Sequence, residues 1–378
     1  MLWGALALSS FGVNVWQFIV ACLTPVHRRP VSASHTPGVT ILKPLKGREG
    51  RSRQCLRSWF TLRYPGPIQL LFGVKDANDP VLEIIRELKV EFPELDARCV
   101  VCPESLGPNA KVSTLMQLEP LIEHSLVVVS DADVQVPYDY LTSATWWFRE
   151  AEVGLVSNLY CLANPSTFAM YWEATVVNSD FWSQVMQARQ LGRVKFALGA
   201  AMMVRREMLQ RIGGFASIVE YLADDYQLGQ RISQLPARVE ISPLVVECWE
   251  GRGGWRYIWG HQLRWARTIR VCQPISYFFS VITAVSLWNL LWLFLGDGSP
   301  LLVAPILILR VIMATIQSYR LKSYKCTYNP VLIGLMAPLK DILSTVIWLL
   351  AFSGGKVNWR GRRFRVGANG RMVALQSL

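Results

Sequence analysis

The segment Leu2–Leu23 carries no charged side chain, and a helix of that length is long enough to cross a bilayer. A removable signal peptide would have a basic start and a shorter apolar run, so the segment reads as a signal anchor. His27-Arg28-Arg29 follow at once, and the positive-inside rule puts the downstream chain in the cytosol. Everything after residue 25 must therefore fold beside a membrane. The end of the chain repeats the constraint. Residues 277–295 and 301–317 read as two spans joined by the turn Gly296-Asp297-Gly298-Ser299-Pro300, with Arg320, Lys322 and Lys325 returning the chain to the cytosolic side. Residues 331–352 are also apolar but are interrupted by Pro338, Lys340 and Asp341. A full span there would leave Lys356, Arg360, Arg362, Arg363 and Arg365 outside, and charges at mid-membrane are expensive. A re-entrant or interfacial helix is the expectation.

Between these segments the pattern changes. Residues 39–42, 68–74, 97–101, 126–130 and 153–157 are short apolar or alternating runs, and helical stretches such as 81–91 and 113–122 separate them. Such alternation predicts an α/β domain with a largely parallel sheet covered by helices on both faces. The expected organisation is an N-terminal anchor over 1–25, an α/β catalytic domain over 36–272, a C-terminal membrane region over 275–353 and a basic cytosolic tail over 354–378.

Composition narrows the partners. The formal charge of +12 suits an anionic cofactor, anionic lipid or nucleic acid, but no basic patch interleaved with aromatics resembles a nucleic-acid module. Nucleic acid is therefore not expected. Fifteen Trp, several beside the apolar runs, favour the membrane, because Trp concentrates at its interfaces. The eight Cys have no framework spacing, and the lone Cys99-x-x-Cys102 pair encloses two strand-like valines. Reduced thiols in a cytosolic domain are the simplest reading.

Four blocks carry chemistry. Leu126-Val127-Val128-Val129-Ser130-Asp131-Ala132-Asp133 reads as a buried strand ending in two carboxylates, at the strand end where open α/β sheets bind ligands. Paired carboxylates call for a cation, and a divalent ion that completes its shell with phosphates suggests a nucleotide donor; a strand-end turn is the plain alternative. Phe72-Gly73-Val74-Lys75-Asp76 is a second strand ending in acid, where Asp76 can accept from a base or ribose. Asp79-Pro80 nearby divides evenly between such a role and turn chemistry. Asp224-Asp225 stands at a helix entry, and one of them could deprotonate an acceptor hydroxyl. On a helix, His261, Arg264 and Trp265 share one face and could offer a cation and an aromatic wall. Arg267 and Arg270, just beyond, suit anionic lipid.

Together these blocks resemble family 2 and family 21 glycosyltransferases, which carry three aspartate blocks followed by (Q/R)-x-x-R-W. Asn109-Ala110-Lys111-Val112 resembles their N-x-K-V segment, and Phe196-Ala197-Leu198-Gly199-Ala200-Ala201-Met202 their acceptor-side loop. The nearest likeness is to the ceramide glucosyltransferase-like family 21, including bacterial hopanoid-associated relatives. It implies a GT-A domain, a Rossmann-like fold for nucleotide-diphospho-sugars, flanked by transmembrane helices. It implies inverting transfer of a hexose, glucose foremost, from a UDP-sugar to the hydroxyl of a membrane lipid such as ceramide. Asp76 would bind uridine, with Lys111 near the nucleotide; Asp131 and Asp133 would hold Mn²⁺ or Mg²⁺; and Asp225 would be the base beside Asp224. Arg264 and Trp265 would position diphosphate and acceptor. His261 departs from the family's Gln or Arg and matches the hopanoid-associated branch, where UDP-GlcNAc is the alternative donor. A processive polysaccharide synthase would need more spans, and a catalytically inactive lipid-binding protein would not need every acid. The expected place is a membrane, bacterial inner membrane foremost, with the catalytic domain cytosolic.

Overall fold

A computed structural model describes residues 1–30, 35–48, 51–323, 325–359 and 361–375; Arg360 of the basic tail lies outside the described residues. The chain divides into two compact units. One comprises Val26–Tyr160 and Gly192–Gly251; the other comprises Met1–Pro25, Cys161–Leu191 and Arg252–Leu378.

The first unit is an α/β domain. Its elements are β1 (Val39–Leu45), α2 (Ser52–Phe60), β2 (Ile68–Val74), α3 (Val81–Glu91), β3 (Asp96–Val101), α4 (Ala110–Leu118), β4 (Leu126–Ser130), β5 (Val134–Gln135), α5 (Tyr140–Thr145), β6 (Val153–Leu162), β7 (Ala201–Arg205), α8 (Arg206–Arg211), α9 (Asp224–Ser233) and β8 (Arg238–Cys248). The sheet runs β3-β2-β1-β4-β7-β6-β8-β5. The first four strands are parallel, as the alternation predicts; β7 then pairs antiparallel with β4 and β6, and β5 antiparallel with β8. Every residue of β1 and β4 is buried, which is why both read as apolar runs without alternation. The parallel order leaves the ends of β2 and β4 on the same edge of the sheet, flanking β1.

The second unit holds α1 (Leu2–Leu23), α6 (Phe168–Thr175), a π-type turn over Val176–Phe181, α7 (Trp182–Leu191), α10 (Trp255–Cys272), α11 (Pro274–Phe279), α12 (Val285–Leu295), α13 (Pro300–Leu321), α14 (Pro330–Phe352) and a small antiparallel sheet of β9 (Lys356–Trp359), β10 (Arg362–Val366) and β11 (Met372–Ala374). By length and composition α1, α13 and α14 can each cross a membrane. The Met1 amino group lies 3.6 Å from Asp297, just before α13, and Arg320 near its end donates to the Thr24 carbonyl after α1 at 2.7 Å. These two helices therefore run in the same direction.

The segment expected to span as 277–295 is broken. Residues Pro274–Thr283 and Val285–Leu295 meet at a 58° bend. Just past the bend, Asp341 accepts from the Ser286 backbone N–H at 3.0 Å and its hydroxyl at 2.8 Å, capping α12 from another helix. In contrast, α14 continues through Pro338, Lys340 and Asp341. Its charges are not left alone. Arg310 of α13 pairs with Asp180 at 2.7 Å and Asp341 at 3.1 Å, while Lys340 pairs with Asp341 at 2.6 Å and with Asp180.

Candidate active site

The acids of the α/β unit gather at the carboxyl ends of its parallel strands. Asp131 follows β4 directly, and its backbone N–H donates to the Ala200 carbonyl at 3.1 Å, joining it to the loop that enters β7. Its side chain remains 42% exposed. Lys111 lies 2.8 Å from Asp131 and 2.9 Å from Asp224, a bridge between the metal-type acids and the α9 acids. The N-x-K-V segment has a plain physical basis. Asn109 caps α4 by accepting from the Lys111 and Val112 N–H groups at 3.1 Å, and donates to the Tyr221 carbonyl at 2.8 Å. The cap fixes the turn from which the Lys111 side chain leaves. Burial works against the Lys111 charge, but its two carboxylates outweigh it and raise the ammonium above its ordinary range.

Asp225 is the titratable group with the most distinctive setting. Burial, then the neighbouring Asp224 carboxylate, push it up to about 6. It accepts from the Tyr226 N–H at 2.7 Å. The acceptor-side loop closes on it: a Cβ on Gly199 would lie 2.8 Å from Asp225 Oδ2, and one on Gly229 would lie 2.4 Å from Ala197 N. Only glycines permit this approach of α9 to the loop.

One residue escaped the sequence reading. Lys43, in β1, is fully buried; it donates to the Asp131 carbonyl, lies 3.2 Å from Ser130 Oγ and sits 4.8 Å over the Trp59 ring. Burial lowers it to about 8 although Cys55, Asp133 and Asp131 pull the other way. A lysine inside an otherwise apolar buried strand was the available signal. Asp133 presents its backbone carbonyl to the Trp249 N–H at 2.9 Å and the Cys55 thiol at 3.2 Å.

The two acids after β2 differ. Asp76 is exposed and forms a turn, accepting from the Asn78 N–H at 2.9 Å. Asp79 is engaged in architecture: it accepts from Gly47 N–H with both oxygens, at 3.0 and 2.9 Å, and from Val81 N–H at 3.0 Å.

In the other unit, α10 is one continuous helix, so His261, Arg264 and Trp265 do share a face. The His261 ring lies 4.6 Å from that of Trp265 and 6.2 Å from that of Tyr257. Its partner was not foreseen: His261 Nδ1 is 2.6 Å from Glu173 of α6, a wholly buried carboxylate that also accepts from Gln262 at 2.8 Å. The only trace of Glu173 in the sequence is an acid inside the apolar stretch of α6.

A mixed sheet with its acids at the carboxyl ends of parallel strands and a buried lysine between them has the GT-A fold, here with helices at both chain ends long and apolar enough to cross a membrane. A family profile described as Glycosyl transferase family 21 matches residues 2–372, and the chain belongs to that family. Among curated relatives, ceramide glucosyltransferase 3 of Caenorhabditis elegans is 24% identical over 372 residues, 92% of this chain and 77% of the relative. Beta-monoglucosyldiacylglycerol synthase of Trichormus variabilis is 26% identical over 70% of this chain and 56% of its own length. Mannosyltransferase PcManGT of Pyrobaculum calidifontis, solved with GDP-Man and Mn²⁺, shares the fold with a TM-score of 0.56 at 19% identity, covering 92% of this chain and 97% of that one.

Proposed function

We propose that this enzyme transfers a hexose, glucose foremost, from a UDP-sugar to the hydroxyl of a membrane lipid, inverting the anomeric carbon. The observation that carries the reading is the raised Asp225 beside the Lys111-bridged acids. A carboxylate titrating near 6 is ionised at neutral pH yet basic enough to take a proton from an attacking hydroxyl. Asp131 and Asp133 fit a divalent metal: they follow a buried strand, Asp131 is open on one side, and carboxylate oxygen is the ligand such an ion takes. Such an ion, Mn²⁺ or Mg²⁺, would neutralise the leaving diphosphate.

The chain's own residues do the rest. Asp76, exposed at the end of β2, receives the uridine edge; Lys43 fixes the Asp131 backbone from below; Lys111 holds Asp131 and Asp224 in place. Asp225 removes the acceptor's proton. His261, held through Nδ1 by Glu173, shares the α10 face with Arg264 and Trp265, and that face offers hydrogen-bond donors and an aromatic wall to a substrate. Ceramide and diacylglycerol, the acceptor lipids in the names of the two relatives, both offer a free hydroxyl beside two long tails. That shared chemistry defines the acceptor class. Apolar helices at both ends supply the membrane from which it comes, and the basic residues after α1 and at the end of α13 support a cytosolic catalytic domain.

The test is purified enzyme with labelled UDP-glucose, Mn²⁺ and ceramide or diacylglycerol in mixed micelles, with the product resolved by mass spectrometry. A glycolipid of inverted anomeric configuration is expected, and Asp225→Asn should cut its formation by about 10²–10⁴-fold while leaving the protein folded. A retained configuration, or full transfer by Asp225→Asn, would overturn the mechanism.

A further inference from the structure

The chain carries no acidic residue after Asp341, yet it contains six basic ones there: Lys356, Arg360, Arg362, Arg363, Arg365 and Arg371. The small sheet of β9, β10 and β11 sorts those it describes by face. Val357, Phe364, Val366 and Met372 are buried, whereas Lys356, Arg363 and Arg365 point to the exposed side. Register makes the crowding worse: Arg365 stands directly opposite Lys356 across the β9–β10 ladder. Like charges directly opposite destabilise a strand pair, so the sheet tolerates a cost that an anionic ligand would remove.

The neighbouring helix adds a second, independent observation. On α10, Arg267 donates to the Lys356 carbonyl and Arg270 to the Gly354 carbonyl at 3.5 Å, so both guanidinium groups reach the start of β9. Their Nε–H groups are buried and, among the described residues, have no hydrogen-bond partner. Helix α10 itself contains four Arg and no acid. The sheet begins four residues after Phe352, the end of the apolar helix α14.

We propose that the outer face of this sheet, with Lys356, Arg363 and Arg365, is a docking surface for anionic phospholipid headgroups. Its place directly after the apolar helix α14 suits the level of lipid phosphates, and no acid follows Asp341 to offset its charge from within the same segment. Arg267 and Arg270 brace the start of β9. The surface holds the enzyme against an anionic leaflet and thereby keeps it where its lipid acceptor resides. This rests on the membrane-embedded reading above, but not on the chemistry of transfer.

The experiment reconstitutes the full chain into nanodiscs of phosphatidylcholine with a minor fraction of phosphatidylglycerol and measures co-isolated lipids by native mass spectrometry. Wild type should retain phosphatidylglycerol several-fold above its bulk ratio. Each Lys or Arg near an anionic surface contributes about fivefold, equivalent to about 1 kcal/mol. The triple variant K356Q/R363Q/R365Q should return to the bulk ratio, and R363K/R365K, which keeps the charge, should retain the enrichment. Bulk-ratio lipid around wild type, or undiminished enrichment in the triple variant, would overturn the proposal. Failure of the chain to enter nanodiscs at all would instead remove the membrane reading, so the two failures are distinguishable.

Discussion

Two groups of buried charge, one in each unit, obey opposite rules. In the helical unit Arg310 and Lys340 face Asp180 and Asp341, two cations to two carboxylates, and no side chain in the group is more than 7% exposed. In the α/β unit Lys43 and Lys111 lie among Asp131, Asp133, Asp224 and Asp225, and Asp131 is 42% exposed. A balanced, closed group leaves no net charge for an ion to neutralise. It joins α13, α14 and the π-type turn, and its members persist because removing one strands the others. The second group is open to solvent at Asp131, and on the function proposed above a divalent ion would complete it. Residue type alone does not separate a staple from a site; exposure does.

The sharpest way to break this comparison is to remove one member from each group. Asp341→Ala leaves Arg310 and Lys340 with one carboxylate and uncaps α12, so a loss of about 3–5 kcal/mol is expected, read as a lower denaturation midpoint in detergent. Adding Arg310→Met should recover part of that loss, because the orphaned guanidinium causes most of it. Asp225→Asn should do the reverse: turnover falls about 10²–10⁴-fold with an unchanged melting curve. If Asp341→Ala melted normally, or Asp225→Asn melted early, the division between staple and site would fail.

How far the sequence revealed each group follows from the same distinction. The positions of Asp76, Asp131 and Asp133 at strand ends, of Asp224 and Asp225 at a helix entry, and of the shared α10 face were legible because these are local patterns, whereas Lys111 was reached only through the N-x-K-V resemblance. The parallel half of the sheet was legible for the same reason, and α3 falls on residues 81–91 as expected. Lys43 and Glu173 were not, since each takes its meaning from partners distant in sequence: Asp131 is 88 residues from Lys43, and His261 is 88 from Glu173. The bend at Ala284 was invisible for a related reason. The contact that caps the helix after the bend, from Asp341 of α14 to Ser286, spans 55 residues. Conversely, Lys340 and Asp341 looked too costly for a continuous apolar helix until Arg310 and Asp180 supplied partners.

The open group should also reveal itself by binding. Mn²⁺ titrated into nucleotide-loaded wild type and followed by electron paramagnetic resonance should bind at least about 100-fold more tightly than to Asp131→Asn. Outer contacts of metal ligands already account for 10–100-fold, and a ligand should exceed them. Mn²⁺ should bind Asp341→Asn as it binds wild type. Equal affinity in all three would show that the open group is not a metal seat.

The smallest expected effect is the most diagnostic of Asp225. A base must be unprotonated, so kcat/KM should rise with pH and level off above about 6. Asp224→Asn removes the neighbouring negative charge and should move that limb to lower pH by about one unit, about 1.4 kcal/mol. The stability sign is opposite to that of a salt-bridged acid. Asp225 is raised in the folded state, so between about 4 and 6 the native chain holds more protons than the unfolded one. Its contribution to stability therefore falls as pH rises through that window, and levels off above it. Asp225→Asn should erase both trends together. A pH limb that survives Asp225→Asn in the residual activity would assign the titration to another group.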